Sequence, residues 1–261
     1  MADEIWAVGD AYDTYVGRWS RRTAASFLGW LDLPGGGRWL DVGCGTGALT
    51  ATILAVADPA GVVGLDTSEG FLAVARTRAG DARAVFRHGD ARSLPLPDHG
   101  FDAVVSGLTL NFVPEPARAA AELARVAVPG GTVAAYVWDY AAGMEMMRYF
   151  WDAATALDPA AAELDEGRRF PLCAPENLRA LWTDAGLDAV AVQPIDTATT
   201  FADFDDYWRP FLGGQGPAPA YTMSLSEDHR DSLRELLRAR LPGGVIALTA
   251  RAWAVRGRTS H

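Results

Sequence analysis

The sequence predicts an α/β fold: a seven-stranded, mostly parallel sheet with helices on both faces and a small helical cap. Two observations predict it. Short apolar, β-branched runs alternate with amphipathic helical stretches from Arg38 to Trp138, and strands joined by crossover helices form a parallel sheet buried on both faces. A glycine-rich turn, Gly43-Cys44-Gly45-Thr46-Gly47, joins the first strand to its helix, where glycine lets the backbone turn sharply and approach another molecule. A length of 261 residues, 49% of them hydrophobic, suits a single domain over 1–261. We expect an N-terminal lid at 6–31 and cap insertions at about 141–174 and 200–242.

Trp6 to Leu31 reads as an aromatic helix, stopped by Pro34-Gly35-Gly36-Gly37. Trp39, Leu40 and Val42 make the first strand, and Ala48 to Ala57 the first crossover helix. The second strand, Gly61 to Asp66, ends in a carboxylate. Ser68 to Ala79 is a helix with Phe71, Leu72 and Ala75 on one face. Ala84 to His88 and Phe101 to Ser106 are the third and fourth strands. Ala120, Leu123, Ala124 and Ala127 recur at helical spacing within Ala117 to Val128, and Thr132 to Trp138 is the fifth strand.

Beyond Trp138 the alternation loosens. Met144 to Leu157 and Pro175 to Gly186 are helical, Leu187 to Thr199 is a sixth strand, and Phe201 to Leu212 a short aromatic helix. Gly213 to Pro219 reads as a flexible loop. Ser226 is a suitable N-cap for a helix to Leu241, before an antiparallel last strand, Val245 to Val255. Pro-Gly-Gly at Pro129 and Pro242 marks helix stops and strand starts.

Composition excludes several classes. A formal net charge of −10 repels phosphate backbones, so no nucleic-acid partner is expected. All the cationic side chains are arginine, and without lysine no Schiff base, P-loop lysine or Tyr-x-x-x-Lys pair is available. Two cysteines, Cys44 and Cys173, fit neither a disulfide framework nor a zinc pattern. No signal peptide or membrane span is evident, so a cytoplasmic monomer or homodimer that binds no metal is expected.

The chemistry gathers at strand ends. Gly43, Gly45, Asp66, Asp90 and Ser106 follow successive strands, whose C-terminal ends share one edge of a parallel sheet. The strand, the turn and the helix N-terminus are expected to surround one small cavity with unpaired N–H groups. A carboxylate at Asp66 suits both hydroxyls of a ribose, and one at Asp90 suits an adenine amine. Their competing roles are a helix N-cap for Asp66 and a turn aspartate for Asp90. The glycines also fit a dinucleotide fingerprint with Asp66 as its acidic residue. Asp41, however, would repel a pyrophosphate and suits a ligand bearing an ammonium or sulfonium.

Leu40-Asp41-Val42-Gly43-Cys44-Gly45-Thr46-Gly47 resembles the first motif of the class I S-adenosylmethionine (SAM)-dependent methyltransferases, and is similar to that of the ubiquinone and menaquinone C-methyltransferases. Val63-Gly64-Leu65-Asp66, Gly89-Asp90-Ala91 through Leu94-Pro95-Leu96-Pro97, Phe101-Asp102-Ala103-Val104 and Ala121-Glu122-Leu123-Ala124-Arg125-Val126 before Pro129-Gly130-Gly131 extend the match. Tyr12 to Ser20 resembles the N-terminal lid of that group, so the match spans about residues 10 to 140.

The resemblance implies a Rossmann-like fold and SAM as cofactor. It places Gly43 and Gly45 against the methionine and sugar parts and Asp41 near the ammonium end. Asp66, with Thr67 beside it, takes the ribose, and Asp90 and Ala91 the adenine. Ser106 and Leu108 border the sulfonium, and Tyr15, Trp19 and Arg18 close the lid. The Asn-Pro-Pro-Tyr/Phe motif of amide and adenine N-methyltransferases is absent; Ser106-Gly107-Leu108-Thr109-Leu110-Asn111 stands in its place.

The expected acceptor is therefore a small, partly aromatic or apolar molecule. Asp139 is the candidate base, with helix capping as its other role, and Tyr140, His88 and His99 are nearby alternatives. His88 also reads as the polar end of a strand, and His99 as a solvated turn residue. Trp138, Trp151, Phe170, Tyr207 and Trp208 suit either an aromatic pocket or the core. A nicotinamide-dependent oxidoreductase and a SAM-binding protein without catalysis are the other readings.

Overall fold

The computed structural model describes residues 18–213 and 216–260. Its elements are α1 (Arg18–Leu31), β1 (Arg38–Val42), α2 (Ala48–Val56), β2 (Gly61–Asp66), α3 (Glu69–Ala79), β3 (Ala84–His88), β4 (Phe101–Gly107), α4 (Pro116–Val126), β5 (Ala127–Trp138), α5 (Glu145–Leu157), α6 (Glu166–Arg169), α7 (Pro175–Asp184), β6 (Asp188–Phe201), α8 (Phe204–Trp208), α9 (Pro217–Ser224), α10 (Glu227–Arg240) and β7 (Ile246–Arg258). One seven-stranded sheet has the order β3-β2-β1-β4-β5-β7-β6. The pairs β1–β2, β1–β4, β2–β3 and β4–β5 are parallel. β7 runs against β5, with Gly130 N–H donating to Thr259 O and Thr259 N–H to Gly131 O.

The described residues fall into two compact units, Ser20–Val137 with Ala174–Ile195 and Trp253–His261, and Trp138–Cys173 with Asp196–Ala252 and Trp19. In the first, β4 and β5 are buried along nearly their whole length, as strands covered on both faces must be. Phe27 of α1 packs on Tyr136 with ring centroids 4.7 Å apart. Trp182 Nε1 of α7 donates to Val133 O at 3.0 Å. Glu122 of α4 accepts from Leu94 N–H at 2.7 Å, and Arg125 donates to Leu96 O at 3.0 Å and Asp98 at 2.6 Å. These two helix residues hold the Leu94-Pro95-Leu96-Pro97 segment, which has no ladder of its own.

The second unit has an aromatic core. Phe150 stacks on Phe211 at 4.4 Å and meets Trp151 edge-on at 5.0 Å. Tyr207 is fully buried and donates its hydroxyl to Met146 O at 2.9 Å. Trp19 lies 5.2 Å from Phe201, also edge-on. Inside this unit Trp151 also donates to the buried Glu166, and Arg148 to Asp165.

Several boundaries correct the expectations. β5 begins at Ala127 and passes through Pro129-Gly130-Gly131 as strand, because Thr259, far along the chain, supplies the hydrogen bonds. Phe201 ends β6 rather than opening a helix. Pro217 to Pro219, expected as the end of a loop, instead open helix α9, with prolines at 217 and 219 in its first turn, where a missing N–H costs nothing. The stretch from Asp158 to Ala174 contains three short helical turns. Residues 6–17 of the expected first helix lie outside the described residues. No helix of the described residues is long and apolar enough to cross a membrane.

Gly64 shows how tightly the sheet is packed beneath the glycine turn: a Cβ there would sit 2.6 Å from Phe86 Cδ1 and 3.0 Å from Cys44 Sγ. Gly64→Ala should therefore lower stability by about 1–3 kcal/mol, the usual cost of overpacking. Urea denaturation is the measurement, and a midpoint equal to wild type would contradict the packing described here.

Candidate functional site

The turn after β1 takes positive φ at alternate positions: Gly43 at 73°, Gly45 at 53° and Gly47 at 86°. Only glycine adopts this without strain. Gly43 has a second reason to be glycine, because a Cβ there would lie 2.3 Å from Thr109 Cγ2. Gly45 differs, with nothing within 4 Å of the place its Cβ would occupy. Its open face is where another molecule can approach the backbone.

The N–H groups of this turn do not line a cavity as the sequence suggested. Gly43 and Cys44 both donate to Leu65 O, at 2.7 and 3.0 Å, and Gly47 donates to Cys44 O at 2.9 Å. Gly45 N–H donates to Asp66 Oδ2 at 2.9 Å. The turn is thus tied to the end of β2, and local sequence alone does not reveal a non-local partner of that kind. Asp66 Oδ1 also accepts from Ser68 N–H at 2.8 Å. The helix N-cap itself is Ser68, whose hydroxyl accepts from Phe71 N–H, so Asp66 supports the cap rather than forming it. Thr67 between them is exposed.

Asp41 is fully buried on β1. Its Oδ2 accepts from Thr50 Oγ1 at 2.6 Å, while its Oδ1 is buried without a hydrogen-bond partner. Burial, with Asp66 nearby, pushes its pKa up to about 7, and the Thr50 hydrogen bond opposes the rise. An orphaned carboxylate oxygen is a vacancy in bonding that a cationic group satisfies. Cys44 beside it is buried, and burial with the two neighbouring carboxylates raises its thiol pKa far above the usual range, so it is no nucleophile.

Asp90 forms a turn, accepting from Arg92 N–H at 2.8 Å, and an ion pair with the Arg92 guanidinium at 2.6 Å. That pairing lowers its pKa. Ala91, next to it, is buried. Ser106 is buried on β4 opposite Ala135. Leu108 holds φ at 58°, a left-handed conformation that costs a leucine about 1–2 kcal/mol and is characteristic of functional turns. Its N–H donates to Tyr136 O at 2.8 Å.

Sequence reasoning missed Thr109 and Asn111. Thr109 Oγ1 lies 2.9 Å from Gly43 O and 3.1 Å from Gly107 O, joining the turn after β4 to the glycine turn. Asn111 has a buried Nδ2 without a partner. Neither residue stands out by type or spacing, since each acts through a contact that only the fold creates.

Trp19 lies in the aromatic packing of the second unit, and Tyr15 and the Arg18 side chain lie outside the described residues. Asp139 is buried and accepts from Ala142 N–H at 3.1 Å. Its backbone carbonyl accepts from Gly143 and Met144 N–H, so it caps the turn before α5. His88 is exposed at the end of β3. His99 is an exposed turn residue, as expected, and its Nδ1 lies 3.0 Å from Ala127 O. Among the described residues no cluster could hold a metal ion. An apolar cleft lined by Val62, Val63 and Phe101 opens where β1 and β2 begin, away from the glycine turn.

The raised pKa of Asp41 has a consequence for stability. Its folded-state value, about 7 against 3.8 for an ordinary aspartate, means the folded state binds this proton more tightly. Stability from this group is present below about pH 4 and is lost as pH rises through about 7. Without ligand, Asp41→Asn should be more stable than wild type by about 1–3 kcal/mol at pH 8, with the gap closing near pH 4. Glu166, also raised to about 7 by burial, acts in the same direction in both proteins and cancels in the comparison. Thermal melts at the two pH values are the check, and a gap independent of pH would refute it.

Residues 40–135 match the family model described as "Methyltransferase domain". The demethylmenaquinone methyltransferase of Clavibacter sepedonicus is 46% identical over 99 residues, covering 38% of this chain and 40% of that protein. The chain spans less than half the length of the curated relatives it matches. Among solved structures, Haemonchus contortus phosphoethanolamine N-methyltransferase 2 in complex with S-adenosyl-L-methionine has a TM-score of 0.62 at 17% identity, covering 100% of this chain and 58% of that one. The [4+2]-cyclase SpnF has a TM-score of 0.55 at 20% identity, covering 92% and 81%. These two likenesses concern the fold. With its motifs set at the ends of β1, β2 and β3, the segment 40–135 matches a methyltransferase domain and is similar to that of SAM-dependent methyltransferases.

Proposed function

We propose that the protein transfers the methyl group of SAM to a small-molecule acceptor, at an oxygen, carbon or nitrogen nucleophile, by in-line displacement. The observation that carries this reading is Asp41, fully buried, with one carboxylate oxygen lacking a partner. A site that leaves an acidic oxygen unsatisfied suits a cation, and the residues present fit SAM, which bears an ammonium and a sulfonium.

When bound, that cofactor supplies a methyl group already activated by positive sulfur. The chain's own residues then bind, orient and exclude water. In this reading Asp41 meets the positive end. Asp66, with two of its roughly four lone-pair sites engaged by backbone N–H groups, retains two for the ribose hydroxyls. Asp90 and the Ala91 N–H take the adenine, with Arg92 fixing the Asp90 rotamer. The open face of Gly45, with Gly43 beside it, admits the sugar and methionine parts. Ser106 and Leu108 border the sulfonium, Thr67 flanks the ribose, and Tyr15 and Trp19 belong to the lid.

The curated relatives' names favour an apolar, aromatic acceptor such as a quinol. Because Asp139 is engaged in its own turn, the reading assigns no protein base and places the burden on alignment. A nicotinamide-dependent activity is disfavoured, since Asp41 would face a pyrophosphate.

Calorimetry with SAM and with NAD tests the cofactor, and only SAM should bind. Asp66→Ala should weaken SAM binding by about tenfold or more, the scale of hydrogen bonds to a charged group. Unchanged affinity would remove the ribose assignment. Release of S-adenosylhomocysteine in a screen of quinols, phenols and amines tests the transfer itself. SAM binding without release for any acceptor would favour the non-catalytic alternative.

A further inference from the structure

We infer that Thr50 is a positioning residue of the cofactor site: its hydroxyl holds one oxygen of Asp41 so that the other is left to receive the cofactor's positive charge. The inference rests on reading this site as the SAM pocket.

The behaviour of the helix threonines points to it. Thr52, Thr77, Thr183 and Thr222 each donate to the carbonyl four residues back, at 2.8–3.0 Å, the usual way for a helical threonine to satisfy its hydroxyl. Thr50, on α2 in the same turn as Thr52, instead donates to Asp41 Oδ2 at 2.6 Å. That is the length of a charge-assisted O–H···O bond. Both residues are fully buried, and a hydroxyl has one proton to give. The opposite oxygen, Oδ1, has no partner.

The groups facing Asp41 explain why one hydroxyl matters. Asp66, at the end of β2, repels its charge, and the Cys44 thiol on the adjoining turn is held neutral by burial. β4 offers the apolar Val105 at the matching position. Among the influences on Asp41, no cation appears, and Thr50 supplies the opposition to its raised pKa, chiefly through its hydroxyl and to a lesser extent through its backbone N–H. Without that hydroxyl the carboxyl would hold its proton more tightly and present less charge at neutral pH. With it, Asp41 ionises near pH 7, and a cationic ligand that pairs with the ionised form releases the proton to solvent.

The test is calorimetric titration of the full chain with SAM and S-adenosylhomocysteine from about pH 6 to about 8.5, in two buffers of different ionisation heat. Wild type should bind more tightly as pH rises through 7, with proton release on the acid side. Thr50→Val should move that midpoint upward by about one pH unit and lower affinity at pH 7 about fivefold, and Thr50→Ser should restore both. Asp41→Asn, which keeps Thr50, should lose the rise in affinity through pH 7, and Thr50→Ala gives the same readout as Thr50→Val should the latter not fold.

A Thr50→Val profile with the wild-type midpoint overturns the inference, even where affinity falls equally at every pH, because a merely structural hydroxyl would do that. If wild type binds neither nucleoside, the cofactor reading falls and takes this inference with it. Binding with an unmoved midpoint removes the inference alone.

Discussion

The site depends on one constraint, the attachment of the glycine turn to the end of β2. A backbone that reverses into left-handed φ at every second residue turns consecutive N–H groups to one side. Here that side is β2, where Leu65 O accepts two of them and the Asp66 carboxylate a third. The termini of β1 and β2 are thereby fixed at a set distance, and Thr109 fixes the turn after β4 to the same backbone through Gly43 O. Three strand ends are locked together by hydrogen bonds made within the chain itself. A cofactor entering such a site pays little to organise it.

The electrostatics follow from the same geometry. Asp41 and Asp66 approach each other because β1 and β2 are adjacent parallel strands whose ends coincide. Burial of Asp41 is the main reason its pKa is raised, and the nearby Asp66 charge adds to the rise. Asp90, one strand further out, escapes this because Arg92 neutralises it. Negative potential is therefore concentrated at the β1–β2 end and relieved at the β3 end. A ligand with its positive charge at one end and a neutral nucleobase at the other matches that gradient, whereas a dinucleotide with a central pyrophosphate does not.

How much of this the sequence revealed can be judged residue by residue. β1, β2, β3 and β4 were legible because apolar β-branched runs between helix signals have few alternatives. The acidic residues toward the ends of β1, β2 and β3 were legible as a register, since one carboxylate per strand is a pattern that survives without coordinates. What escaped was non-local. The partner that makes Pro129-Gly130-Gly131 a strand is Thr259, and local propensity for those three residues speaks against it. The proline-rich start of α9 looked like a linker because prolines that open a helix and prolines in a loop read alike. Thr50 and Thr109 were unremarkable letters whose meaning lies in which oxygen each hydroxyl chose.

The acceptor end is the least legible part, for a chemical reason. The aromatic residues that suggested a pocket are engaged with one another: Phe150 with Phe211 and Trp151, and Tyr207 with Phe201, Phe204 and a backbone carbonyl. Counting aromatic residues cannot distinguish a core from a binding wall, because both reward the same side chains. Asp139 is likewise bound to its own turn. A transfer that depends on no protein base needs a nucleophile that carries a usable electron pair at neutral pH, such as an amine lone pair or the oxyanion of an acidic phenol or quinol. In the proposed reading, the acidity of the acceptor, more than any one residue of the second unit, would decide which molecule is methylated.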